Sequence, residues 1–246
     1  MLRYLLLDGS DPKAYVIHLL LCLPIILLAL SLHESAHGYV AYKLGDPTAR
    51  NLGRLTLNPL KHLDPIGFLC MLLAGIGWAK PVPINTRNFK KPRRDMAISA
   101  AAGPLSNILL AVIFAAFLKI YSLVYADIFI YLTNLYISNP DIESTIVILD
   151  NMFYLLGVFL NYGIILNISL AVFNLLPVPP FDGSRLFYVF LPPKLYFGVM
   201  KYERVIHMAI LLLMVFGVLS PVISLISDAL TSLIAFVFQI PAGFIL

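Results

Sequence analysis

His33-Glu34-Ser35-Ala36-His37 places two imidazoles four residues apart, with a carboxylate beside the first. On a helix such positions share a face, so both rings can reach a single zinc ion. Glu34 then stands where it can take a proton from a water polarised by the ion, as in a metal-dependent hydrolase. A hydrolytic zinc takes three protein ligands and leaves a fourth position to water, so another segment must supply one more. Asp182, in Asn174-Leu175-Leu176-Pro177-Val178-Pro179-Pro180-Phe181-Asp182-Gly183, is the best candidate. The prolines deny that stretch a regular helix and Gly183 allows a tight turn, so the carboxylate can be aimed back into a bundle. His62 is the rival ligand, but it lies in a basic loop where a solvated or interface-facing ring is expected. His18 and His207 are lone rings in or beside apolar runs, where packing partners satisfy them.

The setting of these ligands is apolar. Apolar residues make up 60% of the 246-residue chain and charged residues 12%, and the mean hydropathy is +0.90. Such values exclude an ordinary soluble domain and indicate a polytopic membrane protein. The lipid bilayer is the implied partner, and no nucleic acid is expected. Four stretches are long and apolar enough to cross: about 14–42, 96–125, 151–176 and 205–240. The last is interrupted at Ser220-Pro221, which makes it one broken element or two short helices. The uncharged run 66–79 is too short to span and reads as re-entrant or membrane-dipping. Leu55-Thr56-Leu57 and Val82-Pro83-Ile84 are short β-type runs that predict a strand edge able to capture an unwound substrate segment. The expected fold is therefore an all-α polytopic bundle of about four to six transmembrane helices. A small β-type or re-entrant element follows the first span, in the membrane-associated loop 43–95, and residues 1–246 form one domain.

Charge orients the spans. The stretch 43–95 carries Lys43, Arg50, Arg54, Lys61, Lys80, Arg87, Lys90, Lys91, Arg93 and Arg94. The stretch 126–150 carries Asp127, Asp141, Glu143 and Asp150 without Lys or Arg, and 177–204 is again basic. The positive-inside rule puts the two basic loops in the cytoplasm and the acidic one outside. Spans one and three then end on the same side, which brings His33 and His37 to the membrane depth of Asp182. Arg3, Asp8, Asp11 and Lys13 form a mixed rather than basic start, so the first apolar run reads as a retained span and not a cleaved signal. Cys22 and Cys70 lie in apolar runs and read as buried small hydrophobes.

Taken together, the motifs resemble those of the site-2 protease family of intramembrane zinc metalloproteases. The residues that carry the resemblance are His33-Glu34-x-x-His37, Gly103-Pro104-Leu105-Ser106-Asn107 and Asn174-x-x-Pro177 through Asp182-Gly183. Arg54-Leu55-Thr56-Leu57-Asn58-Pro59 and Lys80-Pro81-Val82-Pro83-Ile84-Asn85 in the first loop resemble the family's loop as well. The resemblance implies hydrolysis of peptide bonds in transmembrane protein substrates. His33, His37 and Asp182 would hold Zn2+, and Glu34 would activate the water. It also implies a multi-pass protein of a prokaryotic cell membrane with its site towards the cytoplasm. The chain resembles a compact form of the family, without a PDZ-like or other soluble domain. Asn107 and Asn174 are amides in apolar surroundings that could donate to the developing oxyanion, or could only tie helix to helix.

Three other readings compete. A different membrane metallopeptidase would take a glutamate of another helix as third ligand, but only Glu143 and Glu203 remain and both read as loop residues. In a metal-binding transporter the histidines and Asp182 would line a cation path, which calls for more ionisable groups stacked along a route. A catalytically silent membrane scaffold would have no need of Glu34.

Overall fold

The computed structural model of the chain describes residues 12–74, 77–139, 143–192, 195, 198, 201–241 and 244. Arg3, Asp8, Asp11, Asp141 and Lys194 lie outside the described residues. Helix α1 is Pro12–Lys43, α2 Thr48–Asn51, α3 Pro65–Ala74, α4 Pro92–Ser138, α5 Glu143–Asn174, α6 Asp182–Tyr188, α7 Glu203–Val215 and α8 Ser220–Phe238. A segment of α1, with the whole of α4, α5 and α8, gives the four candidate membrane spans: Val16–Lys43, Pro92–Ser138, Glu143–Asn174 and Ser220–Phe238. The protein is helical and polytopic. The 47 residues of α4 extend roughly 70 Å at 1.5 Å per residue.

Helices α1, α4 and α5 pack together along a seam of small and branched residues. Ala29 of α1, Ala111 and Ala115 of α4, and Ile164 and Ile168 of α5 are fully or almost fully buried there. Lipid tails are as apolar as these side chains, so close van der Waals fit holds the helices together more than exclusion of water does. Small residues at the contact let the backbones approach closely enough for polar groups on facing helices to bond.

The end of α1 sets the course of the loop that follows. Asp46 N–H reaches back to Ala41 O at 2.9 Å, a closing bond that needs the left-handed φ of +110° at Gly45. The Asp46 side chain, 0% exposed, then gathers the loop. Its carboxylate accepts from Thr48 N at 3.1 Å, Asn85 N at 2.7 Å and Asn88 Nδ2 at 2.7 Å. Residues 85–88 are thereby fastened to the end of α1.

The β-type element expected in this loop does not form. Among the described residues there is no strand, only an isolated antiparallel bridge between Leu63 and Ala79. The backbone groups that a ladder would use are committed to side chains. Thr56 O accepts from Ser35 Oγ at 2.6 Å and lies 2.8 Å from His62 Nε2. Val82 N–H donates to Glu34 Oε2 at 2.8 Å, and Pro81 and Pro83 on either side have no N–H to give. The run 66–79 contributes helix α3, ten residues or about 15 Å long.

The stretch 205–240 resolves into two helices. Gly217, with φ +73°, turns the chain between α7 and α8, and Pro221 occupies the first turn of α8, where its missing N–H costs nothing.

Candidate metal centre

His33 and His37 lie one turn apart on α1, and Asp182 opens α6 immediately after the proline-rich stretch that ends α5. The chain from α5 to Asp182 turns at once, with Phe181 N–H on Val178 O at 3.1 Å. This brings Asp182 Oδ2 to 3.1 Å from both His33 Nε2 and His37 Nε2, and the two Nε2 atoms to 3.0 Å from each other. Among the described residues these three form the group of potential metal-ligating side chains that converges.

The opposite edge of each ring fixes which nitrogen faces the centre. His33 Nδ1 lies 2.6 Å from Asn107 Oδ1, and His37 Nδ1 lies 2.7 Å from the Ser99 carbonyl oxygen. Both partners are acceptors, so each Nδ1 carries the proton and each Nε2 presents a lone pair. Asn107 is oriented in turn. Its amide donates to Asn167 Oδ1 at 3.1 Å and Ala29 O at 3.3 Å, while Asn167 Nδ2 donates to Gly163 O at 2.8 Å. Ser99 Oγ closes a second bond, to His37 O at 3.0 Å. Two lone pairs and an anionic oxygen thus meet with no hydrogen to share.

That donor set fits zinc. Ligands 2.0–2.1 Å from one tetrahedral ion stand roughly 3.3 Å apart, close to the observed triangle. The helix opposite leaves the centre little spare room. A Cβ on Gly103 of α4 would fall 2.3 Å from His37 Nε2 and 2.6 Å from His33 Cε1, so only glycine lets α4 approach the rings this closely.

Glu34 borders the centre, with one carboxylate oxygen held by Val82 N–H. Of the other residues singled out in the sequence, Asn107 is joined to the centre through His33, while Asn174 donates to Leu170 O of its own helix at 2.9 Å. His62 points to Thr56 O, and His18 pairs with Tyr162 Oη at 2.9 Å. Ser99 and Asn167 were not singled out. Asn167 carries the same signal as Asn107, an amide within an apolar span, whereas Ser99 receives His37 through its main chain and leaves no mark in residue type.

The model of peptidase family M50 matches residues 21–219. The chain belongs to that family. It is similar to a Bacillus subtilis protein named as a zinc metalloprotease, YwhC, with 38% identity over 218 residues, 87% of this chain and 90% of that one. It is also similar to Mycolicibacterium smegmatis Rip2, 32% identical over 117 residues covering 46% of this chain and 45% of Rip2. Mycobacterium tuberculosis Rip2 is 26% identical over 188 residues, 74% of this chain and 61% of that protein. Both are likewise named as zinc metalloproteases. No solved structure matches the chain. As an M50 peptidase, the site-2 protease family, the chain is a zinc metalloprotease with apolar helices suited to a membrane.

Proposed function

We propose that this peptidase hydrolyses peptide bonds within or near transmembrane segments of other membrane proteins, with His33, His37 and Asp182 as the zinc ligands and Glu34 as the base. The observation that carries this reading is where the three converging side chains sit. Two of them belong to Val16–Lys43, a helix segment long and apolar enough to cross a bilayer. The basic loops on the same side of the spans support a centre facing the cytoplasm of a prokaryotic cell.

Zinc, when bound, supplies a Lewis acid that polarises the scissile carbonyl and makes the attacking water more acidic. The chain's own residues do the rest. Asn107 and the Ser99 carbonyl keep the Nδ1 protons of His33 and His37, so both Nε2 lone pairs stay aimed at the centre. Val82 N–H fixes one oxygen of Glu34 and leaves the other to accept a proton from the attacking water. As the C–O bond forms and the C–N bond breaks, Glu34 returns that proton to the departing amine. Asn107 acts as a positioning residue, because its oxygen and its amide hydrogens are all engaged within the bundle. Among the described residues Asn174 donates to Leu170 O of its own helix, and its second amide hydrogen is assigned to the developing oxyanion.

The test is metal analysis of the detergent-purified protein, followed by cleavage of a reporter transmembrane segment by wild type and Glu34→Gln. About one zinc per chain is expected in both, since three ligands hold the metal without the base. Cleavage is expected in wild type alone, and equal cleavage by the two proteins would overturn the role of Glu34. Efficient cleavage of a soluble peptide but not of the membrane segment would overturn the substrate class.

A further inference from the structure

Between α5 and α8 lies a cavity of about 500 Å³ whose lining is out of keeping with two membrane-crossing helices. All but two of its lining residues, Ile165 and Ile223, carry a hydroxyl or a carboxylate. On α8, Ser220, Ser224, Ser227, Asp228 and Thr231 recur at the spacing of a single helix face. Ser227 is 6% exposed, and its Oγ has no hydrogen-bond partner among the described residues. Asp228 stands near the middle of α8, which places a carboxylate deep in the bilayer, where an uncompensated charge is costly. Helix α8 itself is barely covered: 6% of its most apolar window is buried.

The dimensions and chemistry narrow the occupant. A metal ion with six waters at about 30 Å³ each fills well under half of this volume. From Ser220 to Thr231 the polar face runs roughly 17 Å along the helix, more than half the hydrocarbon thickness. A site of that length suits another helix. Small hydroxyl residues let a neighbouring backbone come close, and Asp228, an acceptor when ionised, calls for a cationic donor. The groove is not the cleavage site. Asn167 faces the metal centre through Asn107, and Ile165 and Ser169, two residues either side of it, lie about 160° away around α5, on its far flank.

We propose that this groove docks the transmembrane helix of an accessory protein, one that carries a Lys or Arg placed to meet Asp228 and is retained rather than cut. The partner sits at the depth of the metal centre but across α5 from it. The proposal does not depend on which peptide bonds the centre hydrolyses.

The test uses the full chain in lipid vesicles and a fluorescent synthetic peptide of about 20 Leu and Ala residues with one central Lys. Energy transfer to the labelled protein is expected to show binding at least ~10-fold tighter than for the same peptide with Leu in place of Lys, a difference of ~1.4 kcal/mol or more. Asp228→Asn should erase that preference and Asp228→Glu should restore it, with zinc content unchanged in both. Ser227→Phe, which fills the cavity, should weaken binding of both peptides. Equal binding of the two peptides to wild type would overturn the proposal, as would a preference that survives Asp228→Asn. Mass spectrometry of the bound peptide checks the accessory role, and cleavage within its apolar stretch would overturn it.

Discussion

At the scale of single residues, the centre is organised from behind. His33 is held by Asn107, which is held by Asn167, which bonds to the backbone of α5 at Gly163. One hydrogen-bonded line therefore ties α1, α4 and α5 together at the level of the candidate metal ligands. Replacing Asn107 by Leu leaves a buried Nδ1–H without an acceptor and frees the ring to turn. Zinc affinity should fall about 10- to 100-fold, the usual effect of losing such a partner, as read by competition with a chelator. An unchanged affinity would mean that ring packing alone fixes His33. Gly103→Ala should be more severe, because the new methyl meets His37 Nε2 at 2.3 Å. The purified variant is expected to hold well under one zinc per chain, and a full complement would show that α4 can shift away. The three candidate ligands could be singled out in the sequence because zinc chemistry restricts residue type. Asn107 and Asn174 look alike in sequence, and only the fold shows that one reaches His33 and the other its own backbone. Asp228 escaped notice because it lies within a run of hydroxyl residues rather than in a recognisable motif.

At the scale of elements, the loop between α1 and α4 is positioned by Asp46 as much as by its own conformation. This carboxylate joins the end of α1 to residues 85–88, a few residues beyond the Val82 N–H that holds Glu34. Burial would raise the Asp46 carboxyl, but hydrogen bonds from Thr48, Asn88 and Asn85 outweigh it and keep it below its ordinary value. Its folded value therefore lies below the unfolded one, near 3.9. The stabilisation is fully present above that pH and is lost as pH falls through the folded value. Asp46→Asn should melt at a lower temperature than wild type at pH 7, and the gap should close as pH falls below about 4. A gap that stays constant down to pH 3 would remove Asp46's charge from the account. The loop also shows why its strands were misread. Leu55-Thr56-Leu57 and Val82-Pro83-Ile84 have strand-like composition, but pairing depends on free backbone groups. Ser35, His62 and Glu34 take those groups, a competition invisible to local pattern. The break at Ser220-Pro221 was easier to see, although Gly217 and not the proline makes the turn.

At the scale of the whole molecule, α4 and α5 form a hairpin longer than a bilayer requires. Helix α4, 47 residues and roughly 70 Å, exceeds the ~45 Å of hydrocarbon core and headgroups together. One end of it carries Lys90, Lys91, Arg93 and Arg94, while the region of the hairpin tip has Asp127, Glu143 and Asp150 and no Lys or Arg. This asymmetry gives a direction to the entire bundle, because His33, His37 and Asp182 all lie towards the basic end. Placing that end in the cytoplasm follows from the bias of Lys and Arg loops and can be checked without any assay of cleavage. Cys22 is buried and can stay, while Cys70 is replaced by Ala so that a single new cysteine reports. In intact cells a membrane-impermeant maleimide should label Ser144→Cys beside the hairpin tip, and should label Lys90→Cys only after the membrane is opened. Both positions are exposed in the fold, so a difference between them reports the side of the membrane rather than burial. The reverse pattern would turn the molecule over and put the metal centre on the outer side, where its substrates would be cut from the opposite face.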